Sequence, residues 1–208
     1  MNTAREKLLK ALRTTAAASF NASKRLEMHD KKLTRLTAFA SAYVIILTIL
    51  PYFVKSSTEV TDLYNFTTVV FSIVILISSL LQYSSNNIVN SEQHHRSGLE
   101  MNELYRLLLL EGEAIDRAAL SDFTTRYSAI LQKYSINHDQ IDYRKVLLER
   151  PEDNPWMSRA MRAGIRFQIA RNNATPDLFL ICITILIVVM IWHSIAPQIS
   201  SWIWWHSK

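Results

Sequence analysis

The sequence predicts an all-α membrane protein: a two-span helical hairpin with long cytoplasmic helical extensions, plus a third, C-terminal transmembrane helix. Three segments without a Lys, Arg, Asp or Glu carry this prediction, namely residues 36–54, 63–91 and 178–207. Each supplies the roughly 20 mainly apolar residues that a helix needs to cross a bilayer. Only three glycines and five prolines interrupt the 208 residues, which argues against a β-rich domain.

The distribution of basic residues predicts the orientation of the chain. Lys and Arg number 23 against 18 Asp and Glu, a net charge of +5. They concentrate before residue 36 and in 84–176, whereas the loop after the first span has Lys55 and the end of the chain has Lys208. The positive-inside rule therefore places the N-terminus and 84–176 in the cytoplasm and the C-terminus outside. Topology accounts for the charge, so no direct nucleic-acid site is evident.

The N-terminal half is predicted to contain a basic helix and the hairpin. Residues 3–35 lack Gly and Pro and run into the first apolar segment, so we expect a cytoplasmic basic helix over 1–35 that continues into the membrane. This polar segment is too long for a secretory signal. The hairpin occupies 36–91, with spans at about 36–54 and 63–83. No helix breaker follows until Gly98, so the second helix is expected to continue into the cytoplasm past His95.

The C-terminal half is predicted to contain a cytoplasmic helical bundle over 92–176 and a transmembrane helix over 177–208. Apolar residues at spacings of three and four predict an amphipathic helix over 120–134. Further predictions are a short helix 140–149 with Asp139 as its N-cap, a turn at 151–155, a helix at about 156–171 and a third span from 178 to about 195. An outer aromatic belt is expected at Trp202, Trp204 and Trp205. Cys182 is the only cysteine, which excludes an intrachain disulfide.

Polar residues follow one stripe on each hairpin helix, at a period of about 3.5. The stripe on the second helix consists of Asn65, Thr68, Ser72, Ser79, Gln82 and Asn86, and the first helix has Thr34, Thr37, Ser41 and Thr48. Polar side chains are disfavoured against lipid, so both stripes should face protein or water. Two interpretations stay open: packing within the hairpin, or a water-filled path bordered by the stripe in an oligomer.

A basic stripe precedes the third apolar segment and comprises Arg159, Arg162 and Arg166. Its ordinary explanation is attraction to anionic lipid headgroups on the cytoplasmic side. The alternative is a surface that docks an acidic partner or senses a ligand. Both make this stripe a candidate binding site for lipids or a partner.

Catalytic and metal-binding motifs are weak in this sequence. Glu92 and His95 have the Glu-x-x-His spacing of carboxylate-bridged metal bundles, but no second such pair follows, so neither a metal nor a cofactor is predicted. Adjacent His94 and His95 are a minor candidate for pH sensing. No phosphate-binding loop, nucleophile elbow or zinc-protease helix is present, and an enzyme is not expected. A membrane-bound enzyme using Glu92, His95 and Glu103 is kept as a distant alternative.

The order of these features resembles a known family. The helix that leaves the membrane has the sequence Ser-Glu-Gln-His-His-Arg-Ser-Gly-Leu-Glu-Met-Asn-Glu-Leu-Tyr-Arg-Leu-Leu over 91–108. It is followed by a helix with Tyr127 and Tyr134, and then by Asn137-His138 and Ile141-Asp142-Tyr143-Arg144. Over roughly residues 10–150 this is similar to the SLATT family of two-span prokaryotic membrane effectors, and most similar to its reverse-transcriptase-associated branch. The third span departs from that two-span pattern.

The resemblance implies a function that the residues alone do not show. It implies an effector of a prokaryotic antiviral or conflict system that forms homo-oligomers and permeabilises the inner membrane when triggered, so that growth stops or the cell dies. The trigger would be a reverse transcriptase or a nucleic-acid-linked signal. The alternative is a non-conducting membrane scaffold that recruits a cytoplasmic enzyme.

Overall fold

A computed structural model of the protein describes residues 2–54, 57–112, 114–134 and 137–206. Side chains are described in the same ranges except at 2, 172, 173, 175, 176, 179, 194, 195 and 197–206. Every regular element in these ranges is an α-helix, which confirms the all-α prediction for them. The helices are α1 Asn2–Phe53, α2 Thr58–Ser85, α3 Asn87–Leu110, α4 Arg117–Tyr134, α5 Gln140–Glu149 and α6 Arg159–His206.

The long N-terminal helix is confirmed. α1 runs without interruption through the basic segment and the first apolar segment, with Pro51 in its last turn. A proline in the last turn removes only one backbone hydrogen bond, so the helix tolerates it there. Lys55, in the predicted outer loop, lies outside the described residues.

The predicted continuation of the second helix past His95 was wrong. α2 ends at Ser85 because Asn86 adopts the left-handed conformation, with φ 47° and ψ 33°. Asparagine enters this region more readily than other non-glycine residues. The carbonyl of Asn86 then accepts the backbone N–H of Asn90 at 2.9 Å, which begins α3. Gly98, expected to be a breaker, lies inside α3.

The predicted break between a helix at 156–171 and a third span was also wrong. α6 begins at Arg159 and continues through 172–176 to His206 as one helix. α5 forms as predicted, and its capping box pairs Asp139 with Asp142, whose Oδ2 accepts the Asp139 N–H at 3.1 Å. The turn before α6 is closed by Asn154 N–H donating to the Pro151 carbonyl at 3.2 Å.

The chain divides into two compact units. The bundle unit contains Met1–Asp30 and Asn86–Asn172, and the apolar unit contains Lys31–Ser85 and Asn173–Lys208. The core of the bundle unit joins α1, α3, α4 and the α3–α4 connection through Leu8, Leu12, Ala16, Met101, Leu104, Leu108, Ile115 and Phe123. The core of the apolar unit joins α1, α2 and α6 through Leu36, Leu47, Tyr64, Phe71, Ile183 and Ile187.

Two helical stretches, Thr3–Phe53 and Thr58–Leu110, contain segments long and apolar enough to cross a membrane. The apolar stretch Leu180–His193 is shorter within the described part of the chain, so the third span stays a prediction. The side chains of Trp202, Trp204 and Trp205, the predicted aromatic belt, lie outside the described residues, as does Lys208.

Candidate functional site

Three residues of the polar stripe of α2 lie on the exposed side of that helix in the apolar unit. Asn65, Ser72 and Ser79 are exposed. The buried face of α2 consists of Tyr64, Thr67, Phe71 and Ser78. Each of the three exposed residues directly follows a buried one, and successive residues are about 100° apart around a helix. Within one chain these three stripe residues therefore point away from the core of the unit.

The remaining stripe residues are divided between several environments. Gln82 is half-buried, and its Nε2 donates to Thr34 Oγ1 of α1 at 2.7 Å, a contact across the hairpin. Thr68 and Ser41 are half-buried, and Thr48 is exposed. Asn86 belongs to the bundle unit and forms the junction before α3. The structure thus brings Gln82 into hairpin packing, and the pore-lining role of the others stays a prediction.

Several stripe hydroxyls are bonded to their own helix. Ser72 Oγ donates to the Thr68 carbonyl at 2.9 Å, and Thr48 Oγ1 donates to the Val44 carbonyl at 2.7 Å. Ser41 Oγ donates to the backbone carbonyl of Thr37 at 2.8 Å. Such bonds to the carbonyl four residues earlier let a hydroxyl tolerate an apolar environment. The carboxamide of Asn65 is both donor and acceptor, so it demands polar surroundings more strongly.

One end of the apolar unit carries a polar collar, which we define as Lys32, Thr34, Arg35, Gln82 and Asp177. Lys32 Nζ lies 2.6 Å from Asp177 Oδ2, and the Lys32 side chain is only 8% exposed. Arg35 Nη2 is 3.9 Å from the other Asp177 oxygen. Together with the Thr34–Gln82 bond, these contacts join α1 to both α2 and α6.

A further polar contact in the apolar unit was missed by sequence reasoning. The hydroxyls of Tyr43 and Thr184 are 2.7 Å apart, linking α1 to α6. Thr67 Oγ1, which donates to the Leu63 carbonyl at 2.8 Å, also lies 3.9 Å from the Met190 sulfur, a contact between α2 and α6. Tyr43, Thr67 and Thr184 belong to neither polar stripe, so the periodic pattern did not indicate them. α6 thus completes the apolar unit by packing on the hairpin.

One part of the interface between α1 and α3 in the bundle unit is polar. Ser23 and Ser91 are both buried, and their hydroxyls are 3.1 Å apart. Asn87 Nδ2 lies 3.3 Å from His29 Nδ1. Small side chains let the two helices approach closely in this part, which gains less from apolar burial than the part that contains Leu12, Leu104 and Leu108. The polar part is therefore the one better suited to rearrangement.

α5 is tied to α1 by a buried ion pair. Arg25 Nε and Nη2 donate to Asp142 Oδ1 and Oδ2 at 2.9 and 2.8 Å. Asn21 Nδ2 also donates to the Asp142 carbonyl at 3.4 Å. Hydrogen bonding to the carboxylate raises the pKa of Arg25 above its ordinary value. Asp142 and Arg25 were not candidate site residues, although Asp142 lies in the Ile-Asp-Tyr-Arg segment that carried the family resemblance.

His94 lies buried beside this ion pair. Burial lowers the pKa of His94 below its ordinary value of 6.5. The negative charge of Asp142 acts in the opposite direction but is the smaller effect. Arg25 and His138 lower this pKa further. His94 is therefore neutral at physiological pH, and its protonation would place a charge in the α1–α3–α5 interface.

An open groove of about 720 Å³ runs between α3 and α4. Apolar side chains of Ile88, Val89 and Leu99 line it together with Glu100 and Tyr134. The hydroxyl of Tyr134 and the ammonium of Lys133 both donate to Glu100 Oε1, which lowers the pKa of Glu100. The groove offers a partner both apolar surface and charged groups.

The predicted basic stripe begins α6. Arg159 and Arg166 are exposed, and Arg162 is half-buried with its Nε in no hydrogen bond. Their binding of lipids or a partner stays a prediction.

The weak metal candidates are placed apart. Glu92 Oε1 accepts a hydrogen bond from Arg96 Nε at 2.7 Å, whereas the His95 ring packs edge-on against Phe20, with 5.6 Å between centroids. Glu103 is exposed one helical turn beyond Glu100. Among the described residues, no group of three or more His, Cys, Asp or Glu side chains is placed to hold a metal ion.

Comparison with protein families identifies the chain. Residues 1–194 match the family described as the SMODS and SLOG-associating 2TM effector domain family 5. The chain belongs to the SLATT family. The match extends beyond residues 10–150, where the resemblance was recognised, and it takes in most of the third apolar segment. No curated protein and no solved structure shows significant similarity to the chain.

Family membership states the function at a general level. A SLATT domain is a two-transmembrane effector domain of defence systems, and it is not known as a catalytic fold. Together with the two long apolar stretches, this supports a membrane protein. The reverse-transcriptase-associated branch stays a prediction.

Proposed function

We propose that this SLATT protein oligomerises in the bacterial inner membrane and permeabilises it when triggered, causing growth arrest or cell death. The observation that carries the proposal is the exposure of Asn65, Ser72 and Ser79 on the outer face of the apolar unit. In a bilayer such a face would meet lipid unless other copies or water covered it. A homo-oligomer with a hydrated path along the stripe meets this requirement.

The trigger acts through the bundle unit in this proposal. Around Ser23, Ser91 and Asn87 the α1–α3 interface is held by small and polar side chains, so a partner bound in the α3–α4 groove has less apolar packing to overcome there than in the leucine-rich part of the interface. α1 is one uninterrupted helix that contributes to both units, so a displacement of its N-terminal half is transmitted along it. The proposed signal is a reverse transcriptase or a nucleic-acid-linked event.

The proposed orientation follows the basic residues. The N-terminus and 84–176 lie in the cytoplasm, where a trigger is accessible, and the C-terminus lies outside. The polar collar, with Lys32, Arg35 and Asp177, then stands at the cytoplasmic end of the apolar unit.

Membrane potential in living bacteria tests the proposal. A voltage-sensitive dye is followed after co-expression of the protein with its genomic neighbours and exposure to phage. We expect depolarisation before loss of viability. In the variant with Ser72→Leu and Ser79→Leu we expect no depolarisation, although the amount of protein inserted in the membrane should be unchanged. The variant with Val69→Leu and Ile73→Leu is the matched control, since both residues are exposed but apolar on the same helix.

Two results would contradict the proposal. Depolarisation that survives in the double-serine variant would remove the stripe from the conducting path. Growth arrest at an unchanged membrane potential would favour the non-conducting scaffold, which acts through a recruited enzyme.

A further inference from the structure

One side of the first part of α6 in the bundle unit is basic and has no acidic partner. Arg159 and Arg166 are exposed, and Arg162 is half-buried. Within the part of the chain that the structure describes, none of these three guanidiniums forms an ion pair or a hydrogen bond. The sequence from 154 to 176 contains no Asp or Glu. This side of α6 therefore presents positive charge that no carboxylate in contact neutralises.

The spacing of the three arginines suits a row of negative groups. Residues three and four apart lie on the same side of a helix, so Arg159, Arg162 and Arg166 form a row. At 1.5 Å per residue the row is about 10 Å long. That length covers about three successive phosphates of one nucleic-acid strand. The planar guanidinium is also the side-chain group that best matches phosphate oxygens.

An exposed aromatic ring lies beside this row. Phe167 is 68% exposed and lies about 100° around the helix from Arg166. Ala163 and Ala170 lie between them, since each is three residues from one of the two and four from the other, and both alanines are exposed. The small side chains leave an open floor with guanidiniums on one side and the ring on the other. An unpaired base can stack on the ring while its phosphate meets an arginine.

We propose that this side of α6 binds single-stranded nucleic acid, with successive phosphates on Arg159, Arg162 and Arg166 and a base stacked on Phe167. A single strand is favoured over a duplex because the bases of a duplex are already stacked on their neighbours and offer the ring no free face. The proposal gives the nucleic-acid-linked signal a binding site, and in that respect it rests on the proposed function. Binding itself does not require a pore.

Lipid headgroups fit this row less well. Within α6, 12 residues separate Arg166 from Leu178, an exposed apolar residue that follows Asp177. That separation is about 18 Å along the helix. The headgroup layer on one side of a bilayer is only roughly 5–8 Å thick. The arginines therefore lie too far from the apolar part of α6 to be explained by the membrane surface.

An acidic protein also fits less well. A protein interface needs an apolar centre as well as charge. On the arginine side of α6, before residue 172, Phe167 is the one large apolar side chain that is exposed, and Met161 lines a cleft toward α5 instead. One ring among arginines and alanines suits a base better than it suits a protein surface.

Fluorescence anisotropy of the full-length protein in phosphatidylcholine nanodiscs tests the proposal. The probe is a fluorescein-labelled strand of about 20 thymidines, longer than the roughly 4–16 nucleotides that one single-strand site covers. We expect binding that weakens as salt is added. The slope of log affinity against log salt concentration should be about −2, since each of three phosphate contacts contributes about −0.7.

Removing two arginines should change both the affinity and the salt dependence. Arg159→Gln with Arg166→Gln should flatten the slope to about −0.7 and lower the affinity at least about tenfold, because two charged contacts are lost. The matched control is Arg106→Gln with Arg117→Gln, which removes the same charge at exposed positions of α3 and α4. That variant should keep the affinity and the slope of the wild type.

Removing the ring should change the affinity alone. Phe167→Leu should lower it by about tenfold through lost stacking. The salt slope should stay the same, because stacking releases no counterions. Tyr143→Leu is the control, since Tyr143 is an exposed ring on α5 and not on this side of α6. The variant with Ser72→Leu and Ser79→Leu should bind the strand as the wild type does, so a failed conducting path and failed binding are distinguishable.

Four outcomes would overturn the proposal. The first is absent binding of the strand, and the second is an equal loss in the two double-arginine variants. The third is undiminished affinity in Phe167→Leu, which would leave a surface for any polyanion. The fourth is displacement of the strand by an equal charge concentration of polyglutamate, which would assign the row to an acidic protein.

Discussion

Arg25 of α1 and Asp142 of α5 form a bidentate ion pair across 117 positions of the sequence, at 2.9 and 2.8 Å. Asp142 is only 3% exposed, and the same carboxylate also accepts the backbone N–H of Asp139. A single side chain thus caps α5 and attaches it to the N-terminal helix. Because removal of one partner leaves a charge buried without compensation, this pair is a sensitive point of the bundle unit.

Replacing Arg25 should destabilise the bundle unit. Arg25→Met is expected to lower the free energy of unfolding by about 3 kcal/mol, because the Asp142 carboxylate stays buried. The double variant Arg25→Met with Asp142→Leu should recover all but about 1 kcal/mol, the loss of the helix cap. Thermal unfolding of the full-length protein in detergent measures both.

A control for this prediction is Arg96→Met. Arg96 pairs with Glu92 on the exposed surface, so its removal should have no measurable effect. If the double variant is no more stable than Arg25→Met alone, the buried charge is not the source of the instability.

Two helical glycines should respond oppositely to alanine. At Gly98 a Cβ would lie 2.9 Å from Phe20 Cε1, so Gly98→Ala forces the Phe20 ring to shift and should lower stability by about 1–2 kcal/mol. At Gly164 a Cβ meets nothing, so Gly164→Ala should raise stability by up to about 1 kcal/mol through helix propensity.

Unfolding midpoints in detergent compare these two variants directly. Adding Phe20→Leu to Gly98→Ala should restore part of the loss, since the ring is the obstacle. Equal stabilisation by alanine at both positions would mean that α1 and α3 do not approach as closely as described.

The stability of the bundle unit should decrease below about pH 6.5 because of His94. Its pKa is lowered in the folded protein, so the unfolded chain takes up the proton first as the pH falls through 6.5. The stability that neutral His94 contributes is therefore fully present above pH 6.5. It is lost as the pH falls from 6.5 to the lower pKa that His94 has in the folded protein. Melting temperatures between about pH 7.5 and 5.5 measure the slope.

His94→Gln should flatten that pH dependence. His95→Gln is the matched control, because His95 is the exposed neighbour on the same helix, and the slope should persist in that variant. An unchanged slope in His94→Gln would mean that His94 is not the group responsible for the pH dependence.

The attachment of α6 to α1 should depend on Asp177. Asp177→Asn weakens the contact to Lys32, whose side chain is buried, and should lower the stability of the apolar unit by roughly 1–2 kcal/mol. SDS-induced unfolding measures it. Asp153→Asn, which removes an exposed contact 3.7 Å from Arg13, should leave the midpoint unchanged. Equal effects of the two variants would contradict a special role for the collar.

Local sequence signals predicted several elements correctly. The long helix α1 follows from the absence of Gly and Pro before Pro51, and α5 follows from the capping residue Asp139. The break at Asn86 was missed, because asparagine adopts both helical and left-handed conformations and no Gly or Pro marks the position. The continuous helix through 172–176 was missed because this segment contains Pro176, and proline commonly interrupts helices.

The stripe on α2 shows what the sequence pattern determines and what requires the tertiary structure. Periodicity alone determined that Asn65, Ser72 and Ser79 share one face, since 3.6 residues per turn is a property of the helix itself. The adjacent face, with Thr67 and Ser78, is also partly polar, so the pattern did not determine which of the two is buried. Packing of α1 and α6 decided it.

The sequence by itself determined the helical character of the chain, the apolar segments and the faces, because these depend on residues a few positions apart. The tertiary structure decided the pairings: Arg25 with Asp142, Lys32 with Asp177 and Tyr43 with Thr184. Each joins residues more than 100 positions apart on different helices. Such pairings arise only when the helices pack, because no local interaction encodes which distant side chain will complete a buried charge or hydroxyl.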